Sequence, residues 1–251
     1  MTAVYGIVAL GAVVAGFVQG LSGFAFGMVA MSFWAWVLEP RLAAVLVVFG
    51  SLAGQVLAAV GDRRRFDARL LAPFLLGGLA GIPLGVLLLP KVDMVWFKAG
   101  LGTVLVVWCP AMLMARRLPK VGLGSRWADG AVGLAGGVMG GLGGFTGIAT
   151  TLWCTLRGVD KDTQRAVVQN FNLSMLAVTM GTYLATGLVH REMLPMLGIV
   201  GAALLVPVLL GARTYRGLSE QAFRQIVLGL LTVSGVALLV SAVPQVVGRV
   251  G

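Results

Sequence analysis

Two glycine-rich segments carry the residues of this sequence that are best suited to bind a small ligand. Residues 16–24 include Gln19 and Ser22 among their glycines, and residues 137–145 end immediately before Thr146. Glycine destabilises a helix interior by about 1 kcal/mol relative to alanine, so each cluster favours an interruption of the helix. The N–H groups of a helix that restarts after an interruption lack intrahelical acceptors and carry a positive partial charge. We therefore expect these segments to bind an anion without a charged side chain.

A group of amides lies in an otherwise apolar stretch, residues 166–189, and comprises Gln169, Asn170 and Asn172. Because polar amides cost free energy in hydrocarbon unless they find partners, they must face the interior of a helix bundle. Two interpretations stay open for them. They either contact a substrate or form interhelical hydrogen bonds, which are worth about 0.6 kcal/mol each. Single polar residues in other stretches, among them Ser51 and Gln55, are weaker signals of the same kind.

Two arginines flank these features and have two interpretations. Arg157 ends the apolar stretch that contains the second glycine cluster, and Arg165 begins the amide-bearing stretch. Either one attracts an anion at the cytoplasmic side, or it only determines the topology. The candidate binding residues are therefore Gln19, Gly20, Ser22, Gly23, Phe24, Gly141, Gly143, Gly144, Phe145, Thr146, Arg165, Gln169, Asn170 and Asn172.

The composition excludes a water-soluble protein. Of the 251 residues, 59% are hydrophobic and 11% are charged, whereas a soluble domain has about 25% charged residues. The net charge of +10 comes from lysines and arginines in short groups between apolar runs. That pattern is typical of the cytoplasmic loops of an inner-membrane protein, and a nucleic-acid partner is not expected.

Eight uncharged stretches predict the transmembrane segments: residues 1–38, 42–61, 70–90, 99–115, 130–156, 166–189, 193–212 and 225–248. A membrane crossing needs roughly 20 apolar helical residues, so six stretches have the length of one crossing. The first and fifth stretches are too long for one crossing. We expect each of them to be broken at its glycine cluster.

The sequence repeats after 121 residues, because residues 16–24 align with residues 137–145. One residue of slippage later, residues 44–49 align with residues 166–171. The repeat predicts two halves, residues 1–118 and 127–248. If each overlong stretch enters the membrane and returns, every arginine-rich loop becomes cytoplasmic and the two halves are inverted. The predicted fold is an all-α polytopic membrane protein with two inverted repeats of about four transmembrane segments each, the first of each half broken at its glycine motif.

Several features of catalytic or energised proteins are missing from the sequence. The eight stretches contain no Asp or Glu, which leaves a proton relay through a buried carboxylate unsupported. There is no phosphate-binding loop, no zinc-protease motif and no metal-ligand spacing of Cys and His. We expect no enzyme activity, no metal and no cofactor, and Cys109 and Cys154 are interpreted as apolar core residues.

The chain resembles the sulfite exporter TauE/SafE family, also called the toluenesulfonate uptake permease family. The resemblance rests on the two-half plan, the paired glycine–phenylalanine motifs at residues 16–24 and 137–145, and the polar residues 169–172. The resemblance covers nearly the whole length. It implies a permease of the bacterial inner membrane for sulfur-containing or organic anions such as sulfite, sulfoacetate and aromatic sulfonates. It implies no catalytic residue.

The residues and the resemblance together predict a secondary transporter that moves a small anion across the lipid bilayer by alternating access. Protons as the coupling ion and a homodimer are both compatible with the sequence. A passive anion channel of the same architecture and a non-transporting membrane scaffold are the two alternatives.

Overall fold

A computed structural model of the protein describes residues 2–61, 67–114, 125–214 and 220–250. Within these ranges the regular structure is entirely helical, which confirms the all-α prediction. Five helices precede residue 115: α1 (Thr2–Ser22), α2 (Phe26–Trp34), α3 (Pro40–Gly61), α4 (Ala68–Leu88) and α5 (Met94–Met114). Five follow residue 124: α6 (Arg126–Gly143), α7 (Gly147–Leu156), α8 (Lys161–Ala185), α9 (Leu194–Thr214) and α10 (Glu220–Val250). Two short 3-10 turns, Leu89–Lys91 and Arg191–Met193, precede α5 and α9.

Five of the described helical segments are long and apolar enough to cross a membrane: Ala3–Ser22, Pro40–Ala59, Ala68–Lys91, Met94–Met114 and Arg191–Thr214. Each has the length of roughly 20 residues that a bilayer core requires. The protein is therefore a multi-pass membrane protein. Residues 62–66, 115–124 and 215–219 lie outside the described part of the chain. They include most of the basic residues on which the predicted orientation depends. They also include part of the predicted boundary between the halves, residues 118–127.

Helices α1 and α2 form a hairpin. Helix α1 ends at Ser22, Gly23 has a φ of 83°, and α2 begins at Phe26. A positive φ is a conformation that glycine adopts without steric cost, so the chain turns here. The indole of Trp34, at the far end of α2, packs against Gly11 in the middle of α1, which shows that α2 runs back along α1.

Helices α6 and α7 form a second hairpin of the same design. Helix α6 ends at Gly143, Gly144 has a φ of 75°, and α7 begins at Gly147. Trp153 near the end of α7 donates a hydrogen bond from Nε1 to Asp129 near the start of α6 at 2.7 Å. Helix α7 therefore runs back along α6.

The most extensive helix contacts join elements that are distant in sequence: α1 packs along α9, α4 along α6, and α5 along α10. Glycines bring the backbones together in the first two pairs. A side chain at Gly81 of α4 or Gly137 of α6 would collide with the main chain of the other helix, and the same holds for Gly20 of α1 and Gly211 of α9. Such close approach is how membrane helices gain packing energy without a hydrophobic driving force.

We predict that Gly81→Ala lowers the melting temperature of the purified protein in detergent. The added Cβ would meet the carbonyl oxygen of Leu134 on α6, and overpacking of this kind costs about 1–3 kcal/mol. Gly198→Ala on α9 is the matched control, because no atom lies within 4 Å of its added Cβ. Equal melting temperatures for the two variants would contradict the close contact between α4 and α6.

Candidate functional site

The first break, residues 23–25, is stabilised by side chains from α1 and α3. Gln55 of α3 donates from Nε2 to the carbonyl oxygen of Gly23 at 2.6 Å. Gln19, one turn before the break, donates from Nε2 to the carbonyl oxygen of Ser51 at 2.9 Å. Unwound backbone at membrane depth survives only where protein or a wet cavity satisfies it, and the buried Gln55 satisfies the Gly23 carbonyl. Gln19 instead joins α1 to α3.

Ser22 shapes the entry into α2. Its Oγ accepts hydrogen bonds from the N–H groups of Phe24 at 3.4 Å and Ala25 at 3.2 Å. Both donors precede the first residue of α2, whose N-cap, Ala25, has no side-chain cap. Ser22 therefore supports the backbone of the first break.

The second break, residues 144–146, is held by α8. Tyr183 donates from its hydroxyl to the carbonyl oxygen of Gly141 at 2.6 Å, and Thr146 donates from Oγ1 to Oδ1 of Asn172 at 2.8 Å. The N–H of Gly144 donates to the carbonyl oxygen of Gly140 at 2.7 Å. Since Thr146 occupies the acceptor end of the Asn172 amide, the donor end of that amide is directed elsewhere.

The two breaks lie side by side. An alanine Cβ at Gly27, in the first turn of α2, would lie 3.4 Å from both the Gly144 carbonyl oxygen and the Phe145 ring. A Cβ at Gly147, the first residue of α7, would lie 3.1 Å from Cβ of Phe24. The N-terminal ends of α2 and α7 therefore adjoin, and each has N–H groups without intrahelical acceptors and a positive dipole end.

Two amides of α8 face these helix ends. Gln169 Nε2 lies 2.9 Å from the Cβ position of Gly23, and Asn172 Nδ2 lies 2.8 Å from that of Gly147. The residues are three apart on one helical face, and they are 4% and 1% exposed. Neither amide nitrogen donates a hydrogen bond to another residue in the described part of the chain. Both are buried donors beside two helix N-termini, which is the chemistry of an anion site.

Aromatic rings border the same region. Phe24 packs edge-to-face on Trp108 with ring centroids 5.8 Å apart, and Trp108 donates from Nε1 to the carbonyl oxygen of Ile148 at 2.9 Å. Phe145 lies against Gly143 and close to Gly27. The site thus combines N–H donors with apolar aromatic walls.

The remaining candidate residues lie at different distances from this centre. Gly20 and Gly141 face α9 and α4, where an added Cβ would collide with the carbonyl oxygens of Val208 and Ile82, so helix packing explains these two glycines. Arg165 is half-buried and lies one turn before Gln169, about 6 Å along the axis of α8. Asn170, next to Gln169, is also half-buried.

One buried carboxylate was not among the sequence candidates. Asp129 is 3% exposed and accepts two hydrogen bonds from Arg157 Nη1, at 2.8 and 3.0 Å, besides that of Trp153. The ion pair joins the start of α6 to the end of α7 and neutralises Arg157. The sequence does not indicate a buried role for Asp129, because this residue directly precedes the fifth uncharged stretch. Its partners, Trp153 and Arg157, follow 24 and 28 residues later.

Other residues of the site gave little or no signal in the sequence. Gln55 was a lone polar residue in an apolar stretch, and the structure places it on the first break. Gly27, Gly147 and Trp108 resemble ordinary packing residues of membrane helices. Only their position about one turn after each break could have singled out Gly27 and Gly147, and Trp108 lies on α5, far from both breaks in sequence.

The model of one family, described as Sulfite exporter TauE/SafE, matches residues 8–238. No curated protein and no solved structure matches the chain. Because the matched range is nearly the whole sequence, the chain belongs to this family of membrane transporters for sulfite and related sulfur anions. The resemblance inferred from the paired glycine motifs is confirmed.

We predict that Asp129→Asn destabilises the protein by about 3 kcal/mol, because removing one partner leaves a largely buried guanidinium, 16% exposed, without its counter-charge. Unfolding in detergent, followed by tryptophan fluorescence, measures the effect. Asp162→Asn, which removes an exposed carboxylate in the first turn of α8, is the control and is expected to change stability by less than about 0.5 kcal/mol. The double variant Asp129→Leu/Arg157→Leu should be more stable than Asp129→Asn. If the double variant is less stable than Asp129→Asn, the unpaired charge of Arg157 is not the main cause of the destabilisation.

Proposed function

We propose that this member of the sulfite exporter TauE/SafE family is a secondary transporter for a small sulfur-containing or organic anion, such as sulfite, sulfoacetate or another sulfonate. The observation that carries the proposal is the meeting of two helix N-termini beside the buried, unpaired amide nitrogens of Gln169 and Asn172. Helix N-termini and neutral donors bind anions inside a membrane without the cost of burying a cation. The substrate site is formed by the two breaks and the amides of α8.

We further propose that the two halves are inverted repeats. Gln55 of α3 and Gln169 of α8 both lie at the first break, whereas Val47 of α3 and Asn172 of α8 lie at the second. Along the line between the two breaks, α3 therefore runs from the second break to the first and α8 from the first to the second. This exchange of the breaks supports a two-fold relation between α3 and α8, such as inverted halves have.

Alternating access follows from this symmetry. The closest backbone contacts pair α1 with α9 and α4 with α6, so each pair joins one helix from either half. We expect these two pairs to move as rigid units, each with its hairpin helix α2 or α7. Movement of one unit against the other would open the shared site first to one side and then to the other.

Arg165, one turn from Gln169, would attract the anion from the cytoplasmic side of the bacterial inner membrane. Protons as the coupling ion and a homodimer stay predictions.

The direct test is transport by purified protein in liposomes. We expect saturable uptake of sulfite or a sulfonate, with exchange of labelled for unlabelled anion in counterflow. Flux that does not saturate and shows no counterflow would favour the passive channel. Liposomes that move none of these anions would contradict the proposed function.

We predict that Gly23→Ala lowers the transport rate by about tenfold or more. The added Cβ would displace the Gln169 amide, and a hydrogen bond to a charged group is worth about 1.5–3 kcal/mol. Gly187→Ala is the matched control, because Gly187 also has a positive φ, 70°, but no atom within 4 Å of an added Cβ. Both variants carry the same backbone strain of about 1–2 kcal/mol. Equal transport by the two would mean that the Gly23 position matters only for folding.

A further inference from the structure

We infer that the two breaks form one site for a single monoanion, in which Gln169 and Asn172 are the side-chain donors. The inference rests on the proposed transport function and specifies the charge and number of the anions that this site accepts. Of the substrates proposed above, hydrogensulfite and simple sulfonates carry one charge, whereas sulfoacetate is a dianion at neutral pH and would be disfavoured.

The charge follows from the positive ends of the two helices. Each helix N-terminus is equivalent to roughly half an elementary charge, so α2 and α7 together compensate about one negative charge. The three atoms nearest to the Cβ position of Gly23 belong to Gln169, and those at Gly147 belong to Asn172 and Phe24, so the nearest side chains at both positions are uncharged. Asp129 and Arg157 neutralise each other. Arg165 lies a further turn along α8 and has an interaction of its own. A dianion would therefore keep one charge uncompensated in a buried position, which is costly.

The number of anions follows from an asymmetry between the halves. Residues 44–49 align with residues 166–171, so Val47 of α3 is the counterpart of Gln169 of α8. Gln169 lies against Gly23, and Val47 lies against Gly144 with Cγ1 at 3.0 Å from its Cβ position. At this equivalent position the first break thus faces an amide and the second a methyl group. The amide at the second break, Asn172, lies three residues from Gln169 on the same face of α8, and the two helix ends adjoin, so both donors serve one anion position.

The walls of the site suit an anion with a polar head and a small apolar substituent. Phe24 of the first break lies beside Gly147 in the first turn of α7, and Phe145 of the second break lies beside Gly27 in the first turn of α2. Aromatic rings exclude water and offer no acceptor to compete with the anion for the amide donors. An alkanesulfonate has this shape and a single charge.

The experiment compares two nearly isosteric probes, methanesulfonate and methylphosphonate, at an alkaline pH where the second is a dianion. Isothermal titration of the purified protein in detergent should give one methanesulfonate per chain and an affinity for the methylphosphonate dianion that is lower by roughly 100-fold or more. Comparable affinities, or two methanesulfonate ions per chain, would overturn the inference. Failure to bind methanesulfonate in a protein that transports sulfite would overturn it as well.

The donors are tested by variants of two glutamines on the same helix. Gln169→Leu should weaken methanesulfonate binding by about tenfold or more, and the isosteric Gln169→Glu should abolish it by like-charge repulsion. Gln164→Leu is the control, because Gln164 already donates to Thr155 Oγ1 at 3.0 Å and lies away from the breaks. Its affinity should stay within about twofold of the wild type. Melting curves show whether each variant is folded, and wild-type affinity in Gln169→Leu would exclude this residue as a donor.

Transport assays separate the two levels of the proposal. If liposomes take up sulfite but the two probes bind equally well, the transport function stands and the charge selection is wrong. If the liposomes move no anion, both the proposed function and this inference are wrong.

Discussion

The structure depends on one constraint, that main-chain polar groups within a membrane must find hydrogen-bond partners. The chain interrupts two helices at glycines of positive φ, Gly23 and Gly144, and then satisfies the released carbonyl groups with specific side chains. Gln55 serves the first break and Tyr183 the carbonyl oxygen of Gly141 beside the second. In the proposed function, the first N–H groups of α2 and α7 are the donors for the anion, while protein side chains bind the released carbonyl groups.

Close helix packing fixes the positions of the two helices that carry the breaks, α1 and α6. Helices α1 and α9, and likewise α4 and α6, meet backbone to backbone at glycines such as Gly20 and Gly141. These glycines sit within the same motifs as Gly23 and Gly144, three residues before each. Each glycine motif therefore has two separable roles, one in fixing its helix against a neighbour and one in turning the chain into the short helix that follows.

The sequence was sufficient to predict the helical class and the family. Composition revealed the membrane environment, and four glycines among residues 140–144 marked a weak point in a helix. The sequence did not distinguish the role of Gly141, which packs on α4, from that of Gly144, which turns the chain. The difference depends on α4, a helix more than fifty residues earlier in the sequence. The burial of Asp129 was unpredictable for a similar reason, since it depends on Trp153 and Arg157 folding back along α6. Local pattern predicts where a helix is weak, whereas tertiary contacts decide what each residue then does.

The central claim is that an anion binds between the N-terminal ends of α2 and α7, and selenite, the heavier analogue of sulfite, tests it most directly. Crystals grown with selenite and measured at the selenium absorption edge would locate the ion by its anomalous signal, with sulfite-grown crystals as the selenium-free control. The account predicts one selenium peak per chain, within hydrogen-bond distance of Gln169 Nε2 and the first N–H groups of α2 or α7. A peak only at surface arginines, with none between the two helix ends, would contradict it.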